Sequence, residues 1–347
     1  MITIDFEALR TIGLNNRIAA QLATLDTAPA DRLMRITQLQ REGITLHDGS
    51  YEHAARPLPR LYDGDLAVGD WVLAQPRDHG ELWATARLSP VTEITRRAND
   101  GRRQLLATNI DTALLVMGLD DDFNPRRVER YIAMVQAADI APVVVLTKAD
   151  IGHDISDRVS QLQARLPSAI PIIFLNALSV EECGQLTPWL QPGQTVCLLG
   201  ASGTGKSTLT NSLTLSQQST GGVRKSDGRG MHTTTARSLH ICREGACLID
   251  TPGLRTWRPD TDEQTLAATF DDIELLAARC QFRDCTHGQE PGCAVRSVID
   301  PDRLANYHKL LRDVRRSGQT PLERIAARAK WKTLERAAAA RIRQKQE

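Results

Sequence analysis

One eight-residue segment constrains the fold of this chain more than any other. Residues 200–207 read GASGTGKS and match the pattern G-x-x-x-x-G-K-S. The apolar run Val196–Leu199 comes directly before the segment, and a helical stretch follows it. In that context the glycines let backbone N–H groups converge on phosphate oxygens, and the helix adds the positive end of its dipole. The pattern predicts a phosphate-binding loop between a buried strand and a helix of an α/β domain.

The chemistry of this loop predicts a nucleotide and a magnesium ion. We expect Lys206 to reach the β- and γ-phosphates and Ser207 to bind Mg²⁺. The segment DTPG at 250–253 ends another apolar strand, where Asp250 would hold the Mg²⁺ shell and the amide of Gly253 would sense the γ-phosphate. Such a segment on its own is also a good turn. The residues predicted here to bind the nucleotide are Gly200, Ala201, Ser202, Gly203, Thr204, Gly205, Lys206, Ser207, Thr208, Asp250 and Gly253.

A second motif, TKAD at 147–150, follows the apolar run Val143–Leu146. The Asp150 carboxylate can accept hydrogen bonds from guanine N1–H and from the exocyclic amine, a pair of donors that adenine does not offer. The usual first residue of this motif is Asn, and Thr147 keeps a hydroxyl but loses the amide. Guanine preference therefore rests mainly on Asp150, and Thr147 and Lys148 are predicted to join it in binding the nucleotide.

The base-reading motif comes before the phosphate-binding loop, which reverses the order of an ordinary P-loop GTPase. The sequence therefore predicts a circularly permuted GTPase, as though the old termini were joined and new ones cut elsewhere. Asn176 and Ala177, after the next strand, are predicted to form a second base-contacting loop. A P-loop enzyme that uses ATP, such as a kinase, remains an alternative because of Thr147.

The segment 221–235 lies between the two phosphate-side motifs and is rich in Gly, Ser, Thr and Arg. Its position predicts a switch loop in which Thr234 completes the Mg²⁺ site, although a flexible linker has the same composition. Leu254 stands where Ras-type enzymes carry a water-orienting glutamine, so hydrolysis should be slow unaided. His232 is the nearest candidate to orient or deprotonate the water, which predicts a catalytic set of His232, Lys206 and Thr234. A nucleotide-gated RNA-binding module with negligible turnover is the second alternative.

Four soft ligands lie within 14 residues in the pattern C-x4-C-x-H-x5-C. They are Cys280, Cys285, His287 and Cys293. Three thiolates and one imidazole make a closed tetrahedral set for one structural Zn²⁺. The alternative is a group of free buried thiols.

The pattern of apolar runs, amphipathic stretches and turn residues along the chain predicts a mostly parallel α/β domain, preceded by a small β-barrel and followed by a helical, zinc-binding region. The predicted domains are a helical extension at 1–42 with one amphipathic helix over Phe6–Leu25, the barrel at 43–104, the GTPase at 105–260 and the C-terminal domain at 261–347. The predicted strands are Ala113–Met117, Val143–Leu146, Ile172–Leu175, Val196–Leu199, Leu239–Cys242 and Ala246–Ile249. The predicted helices are Arg126–Ala138, Ser156–Arg165 and Glu181–Leu190.

Composition and charge predict a soluble cytoplasmic protein that binds no membrane. No apolar run approaches the roughly 20 residues that span a bilayer, and Asp5 and Glu7 lie where a signal peptide would need a basic and then an apolar stretch. Residues 307–347 carry 12 Lys or Arg against 4 Asp or Glu. That excess is typical of an RNA-binding surface, and a solvated helix face is the alternative.

With these motifs in this order, the chain resembles the ribosome small subunit-dependent GTPase A family. The resemblance is most specific in the permuted motif order, in RGMHTTT at 229–235, and in CQFRDCTH at 280–287 continuing to EPGC at 290–293. It implies an N-terminal OB-fold, a permuted GTPase, a zinc domain, and the catalytic histidine of the family at His232. It also implies GTP and GDP as ligands, with Mg²⁺ and one Zn²⁺. The implied partners are the small ribosomal subunit and its rRNA, and the implied role is to assist late maturation of that subunit through stimulated GTP hydrolysis. We also expect the protein to be a monomer.

Overall fold

The structure is a computed structural model, and it describes residues 2, 4–40, 43–61, 66–77, 80–97, 103–215, 237–251 and 263–317. Its strands are β1 (Arg32–Leu39), β2 (Ile44–His47), β3 (Glu52–Pro57), β4 (Trp71–Pro76), β5 (Leu82–Arg87), β6 (Glu93–Arg97), β7 (Arg103–Thr108), β8 (Thr112–Gly118), β9 (Ala141–Thr147), β10 (Ile172–Phe174), β11 (Thr195–Gly200), β12 (Ser238–Ile241) and β13 (Cys247–Asp250). Its α-helices are α1 (Phe6–Arg10), α2 (Asn16–Gln21), α3 (Pro125–Gln136), α4 (Ile155–Gln163), α5 (Val180–Cys183), α6 (Lys206–Leu213), α7 (Glu263–Thr269), α8 (Asp271–Ala277), α9 (Ala294–Val298) and α10 (Pro301–Ser317). None of these helices is long and apolar enough to cross a membrane.

The N-terminal segment forms two short helices, so the prediction of one helix over Phe6–Leu25 is wrong. The break falls at Gly13, whose φ of +87° lies in the left-handed region that glycine adopts readily. A Cβ at this position would lie 2.1 Å from Nη1 of Arg35, so the site also needs a residue without a side chain. Asn15 then starts α2 by accepting a hydrogen bond from the amide of Ile18 at 3.1 Å.

Strands β1 to β5 form a closed barrel in the order β1-β2-β3-β5-β4, with β4 pairing back to β1. This is the strand order of an OB-like barrel, and it confirms the predicted barrel. The strand β1 lies inside the segment 1–42, which the sequence predicts to be helical. The strand is buried on both faces, with Met34 and Ile36 in the barrel core and Leu33 in the core beneath the neighbouring domain. A strand with two buried faces shows no polar alternation, which hides it in the sequence.

A second sheet follows in the order β10-β9-β8-β11-β13-β12, parallel except for β12. The chain runs outward through β8, β9 and β10 and then returns to β11 on the other side of β8. The carboxyl ends of β8 and β11 therefore flank a topological switch point, where α/β sheets bind their ligands. All the predicted strands are present within two residues at each end, and the permuted parallel sheet is confirmed.

The barrel and the parallel sheet are one continuous hydrogen-bonded structure. A single row of paired residues runs from Leu198 on β11 to Asp250 on β13, then to Ser238 on β12 and to Gln38 on β1. The first strand of the barrel thus pairs with β12, the edge strand of the parallel sheet.

Arg35 joins the same two regions at the opposite end of the sheet. Its guanidinium is fully buried and donates to the carbonyls of Ile12, Gly69 and Asn109 and to the hydroxyl of Thr195 at 2.6 to 3.2 Å. Burial lowers the pKa of Arg35 below its ordinary value, because desolvation penalises the charged form. These bonds hold the first helices, the barrel and the start of β11 together.

The helices α7 to α10 form a C-terminal module, and a buried charge network attaches it to the parallel-sheet domain. Glu129 on α3 is fully buried and accepts hydrogen bonds from Arg165 at 2.9 Å, Arg303 at 2.7 Å and Asn306 at 2.5 Å. Arg303 also donates to Asp272 on α8 at 2.8 and 2.9 Å. Because Arg303 and Asn306 belong to α10, this carboxylate links both domains.

Candidate functional site

The phosphate-binding loop has the backbone that its glycines predict. Gly203 and Gly205 have φ values of +85° and +89°, and α6 begins immediately afterwards at Lys206. A Cβ at Gly200 would lie 2.4 Å from the carbonyl of Val116 on β8, so this glycine lets the two strands approach closely. The loop thus leads from the carboxyl end of β11 into a helix N-terminus, which is the geometry of an anion site. Ser207 and Thr208 lie in the first turn of that helix.

Lys206 is buried beneath this loop. Its ammonium group donates to the carbonyls of Gly200 at 3.1 Å and Ala201 at 2.6 Å. Desolvation lowers the pKa of Lys206 to about 8, and the charge of Asp250 opposes that shift. The cation and the predicted Mg²⁺ ligand therefore lie within electrostatic reach of each other.

Thr147 connects the base-reading segment 147–150 to the phosphate-binding loop. Its hydroxyl is fully buried and donates to the carbonyl of Thr204 at 2.6 Å, with the carbonyl of Met117 farther away at 3.4 Å. The single proton of the hydroxyl is thereby used within the protein. The Thr147 oxygen can then only accept further hydrogen bonds. Its position therefore favours a role in holding the phosphate-binding loop rather than in donating to a base.

Lys148 and Asp150 lie at the carboxyl end of β9, which neighbours β8. Lys148 has a φ of +62°, and its ammonium group forms an ion pair with Asp120 in the loop after β8. Asp150 is exposed, as expected of a residue that reads a ligand. The structure thus brings the two predicted binding motifs to one edge of the sheet, although they are about 50 residues apart in the sequence.

The predicted second base loop is fixed to the helix that follows the phosphate-binding loop. The side chain of Asn176 accepts from the amide of Leu178 at 2.9 Å, which shapes the turn. The carbonyl of Ala177 accepts from the hydroxyl of Ser212 on α6 at 2.6 Å. Asn176 and Ala177 follow the end of β10, and the amide of Ala149 donates to the carbonyl of Leu175 at 3.4 Å, so this loop lies at the same edge of the sheet as the segment 147–150.

Asp250 ends β13 and is buried, and the neighbouring Thr251 donates from its hydroxyl to the carbonyl of Leu198 at 2.6 Å. Asp250 and the phosphate-binding loop thus occupy adjacent strand ends. A buried carboxylate beside a helix N-terminus and a serine hydroxyl supplies the oxygen ligands that Mg²⁺ prefers. His232, Thr234 and Gly253 lie outside the described residues.

The Cys/His cluster (Cys280, Cys285, His287 and Cys293) has the dimensions of a zinc site. Its four ligand atoms all lie within 4.8 Å of one another. Nδ1 of His287 is 3.7 Å from Sγ of Cys280 and 3.6 Å from Sγ of Cys293, and those two sulfurs are 4.0 Å apart. Tetrahedral zinc with bonds of about 2.3 Å to sulfur and about 2.0 Å to nitrogen needs separations of roughly 3.5 to 3.8 Å. The three measured separations lie within about 0.3 Å of these values, and three thiols and one imidazole are the donors that Zn²⁺ prefers.

Two polar residues at this edge of the sheet are not recognisable from the sequence alone. Asp120 is part of the acidic run 120–122, which reads as an ordinary exposed turn. Arg158 on α4 donates to the carbonyls of Leu119 and Asp120 at 2.7 and 2.9 Å. Their partners come from other elements, so no local spacing could reveal them.

Comparison with known proteins agrees with this geometry. A family model described as RsgA GTPase matches residues 88–259. A small ribosomal subunit biogenesis GTPase RsgA from Xanthomonas oryzae pv. oryzae is 45% identical over 344 residues, which covers 94% of this chain and 93% of that protein. A protein of the same name from Xylella fastidiosa is 48% identical over 252 residues, which covers 70% of this chain and 72% of that protein.

Two solved structures share the fold. YjeQ from Thermotoga maritima aligns with a TM-score of 0.60 at 22% identity and covers 84% of this chain and 100% of its own. YloQ, described as a circularly permuted GTPase, aligns with a TM-score of 0.56 at 20% identity and covers 84% of this chain and 97% of its own.

Proposed function

The chain belongs to the RsgA GTPase family, and from this membership we propose that it binds the small ribosomal subunit and assists its late maturation. It hydrolyses GTP to GDP and phosphate, slowly alone and faster on the subunit. The main support is the identity of 45% to a small ribosomal subunit biogenesis GTPase over nearly the whole of both chains. The phosphate-binding loop and the base-reading segment at one sheet edge support it independently.

In this proposal the nucleotide lies across the carboxyl ends of β8, β9 and β11. The segment 200–208 holds the phosphates with Lys206 as the cation, and Asp150 reads the guanine with Lys148 beside it. Asn176 and Ala177 contact the base from the far side. Thr147 acts through its hydrogen bond to Thr204, which holds the two halves of the site together.

A magnesium ion, when bound, would neutralise negative charge on the phosphates of the nucleotide. Ser207, Thr234 and Asp250 would hold it, and the amide of Gly253 would respond to the γ-phosphate. His232 orients the attacking water or takes its proton, because Leu254 has no polar group for this role. The intrinsic rate is low for the same reason, and the subunit raises it.

The Cys/His cluster holds one structural zinc ion in this proposal, with no open position for catalysis. The barrel and the basic C-terminal segment bind rRNA, and the protein acts as a cytoplasmic monomer. The segment 318–347 carries most of the tail charge and lies outside the described residues.

The decisive experiment is GTP turnover by the purified protein with and without small ribosomal subunits. Large subunits at the same concentration serve as the control for non-specific RNA effects. Strong stimulation by the small subunit alone is the expected result. Equal rates in all three conditions would contradict the proposed function.

Two further measurements separate the alternatives. Competition of GTP and ATP for the site tests guanine selectivity, and equal competition would favour an ATP-using enzyme. The His232→Ala variant tests catalysis: subunit-stimulated turnover should collapse while nucleotide affinity stays unchanged. Turnover that is low and equal in both proteins would instead indicate a nucleotide-gated binding module.

A further inference from the structure

The ammonium group of Lys148 is paired inside the protein. Its partner is the carboxylate of Asp120, and the two side chains are 22% and 31% exposed. A partly buried pair is less screened by solvent than a surface pair. The pair therefore restricts a long side chain that would otherwise sample many rotamers at the mouth of the site.

Asp120 is itself held by groups on α4 and on the strand ends. Arg158 donates from one nitrogen to the carbonyls of Leu119 and Asp120, and its guanidinium lies 5.2 Å from the ring centroid of Phe123. The amide of Leu119 donates to the carbonyl of Thr147 at 2.9 Å. The loop after β8 and the base-reading segment are thus connected through both backbone and side chains.

Gly118 provides the space in which this pair forms. A Cβ at Gly118 would lie 2.6 Å from Oδ1 of Asp120 and 3.4 Å from Cδ of Lys148. Because Gly118 has no side chain, the Asp120 carboxylate and the aliphatic part of Lys148 can both lie close to its backbone. The position of Asp120 at the switch point between β8 and β11 places this arrangement at the ligand edge of the sheet.

We propose that Asp120 is a positioning residue for the nucleotide: it holds the ammonium group of Lys148 so that the aliphatic stem is ready to pack against the purine base. Arg158 fixes Asp120 in turn. This inference rests on the proposed contact between Lys148 and the base. Asp120 acts through Lys148, and the chemical step does not involve it.

The expected signature is a loss of affinity that is the same for GTP and GDP. Ordering one long side chain on binding costs about 0.5 to 1.5 kcal/mol, so removing the pair should weaken the binding of both nucleotides by about 2- to 13-fold. The interaction is the same in the ground state and the transition state, so KM should rise while kcat stays unchanged.

The test compares Asp120→Asn with Asp121→Asn in the full-length protein. Both variants remove one negative charge from the same loop, and Asp121 is exposed. Affinities for fluorescent GDP and GTP are measured without ribosomes, together with KM and kcat for the intrinsic reaction. Asp120→Glu, which keeps the charge, should restore most of the affinity.

A double-mutant cycle with Lys148→Ala assigns the effect to the pair. The loss in Asp120→Asn should vanish when Lys148 is already Ala, because the group that Asp120 positions is gone. Equal affinities of Asp120→Asn and Asp121→Asn would overturn the inference, as would additive losses in the double variant or a fall in kcat. If subunits fail to stimulate the wild-type protein, the proposed function fails while this comparison remains valid.

Discussion

The hydroxyl of Thr147 donates a hydrogen bond of 2.6 Å to the backbone carbonyl of Thr204. The first residue lies at the end of β9 and the second within the phosphate-binding loop, 57 positions later in the chain. Gly205 keeps this contact close, because a Cβ there would lie 3.2 Å from the Thr147 oxygen. One hydrogen bond therefore connects the segment 147–150 to the phosphate-binding loop.

Thr147→Val should weaken GTP and GDP binding without unfolding the protein. Valine has the same shape but leaves the buried Thr204 carbonyl without this donor, at a cost of about 1 to 3 kcal/mol. We expect at least a fivefold loss of affinity in a titration with fluorescent GDP. Thr147→Ser keeps the donor and is the control. Wild-type affinity in the valine variant would show that the hydrogen bond does not support the loop.

Nucleotide binding should weaken as the pH rises above 8. The pKa of Lys206 in the nucleotide-free fold is lowered to about 8, and only the protonated amine attracts phosphate. Once the free site is mostly deprotonated, each pH unit should reduce the affinity by up to about tenfold. Titrations with fluorescent GDP between pH 7 and 9 measure this slope. A flat profile would contradict the lowered pKa.

The same pKa has a consequence for the stability of the nucleotide-free protein. Between about pH 8 and the ordinary value of 10.5 the unfolded chain binds more protons at Lys206 than the folded chain does. The titration of Lys206 should therefore make the free energy of unfolding increase with pH over that window. Lys206→Met removes this titration, so urea unfolding at pH 7.5 and 9.5 should show a smaller rise in the variant than in the wild type.

Loss of the proposed zinc ion should unfold part of the C-terminal module and leave the parallel sheet intact. Cys285→Ser removes one of four ligands, and structural zinc contributes about 10 to 16 kcal/mol of folding free energy in small zinc peptides. We expect released zinc in a colorimetric assay and faster amide exchange in α8 and α9. Cys242→Ala, a buried cysteine of the sheet domain, should retain zinc. Full zinc content in Cys285→Ser would contradict the ligand set.

Glu129→Gln should destabilise the attachment of the C-terminal module. The change leaves Arg165 and Arg303 buried without their shared carboxylate, and breaking such a pair costs about 3 to 5 kcal/mol. Glu263→Gln breaks an exposed pair with Arg315 and should cost less than about 1 kcal/mol. Urea unfolding of both variants measures the difference, and equal losses would show that burial of Glu129 has no special energetic role.

The sequence predicts the elements that depend on local patterns. The parallel strands are apolar runs, and the loop at 200–207 carries its own glycine signature. The four residues of the Cys/His cluster lie within one short segment, so their spacing is readable. In each case the information is contained in 14 or fewer consecutive residues.

The sequence misses what depends on contacts between distant elements. The strand β1 contains Arg35, a charged residue that is buried only because carbonyls from three other segments surround it. The hydroxyl of Thr147 looks available to a base until Thr204 is brought beside it. Glu129 resembles any exposed helix carboxylate in the sequence, since Arg165, Arg303 and Asn306 lie far along the chain.

The strand pairing that connects the parallel sheet to the barrel, from Leu198 to Gln38, also limits association of this sheet with other chains. An open edge strand offers unpaired backbone groups to any passing strand. Here Ser238 on β12 pairs with Gln38 of the barrel, so one edge is partly covered by the protein itself. The opposite edge, β10, is only three residues long and follows Pro171. A variant that begins at residue 43 lacks β1, so β12 loses its partner and becomes an open edge strand. This variant should aggregate even though every residue of the proposed nucleotide site is still present.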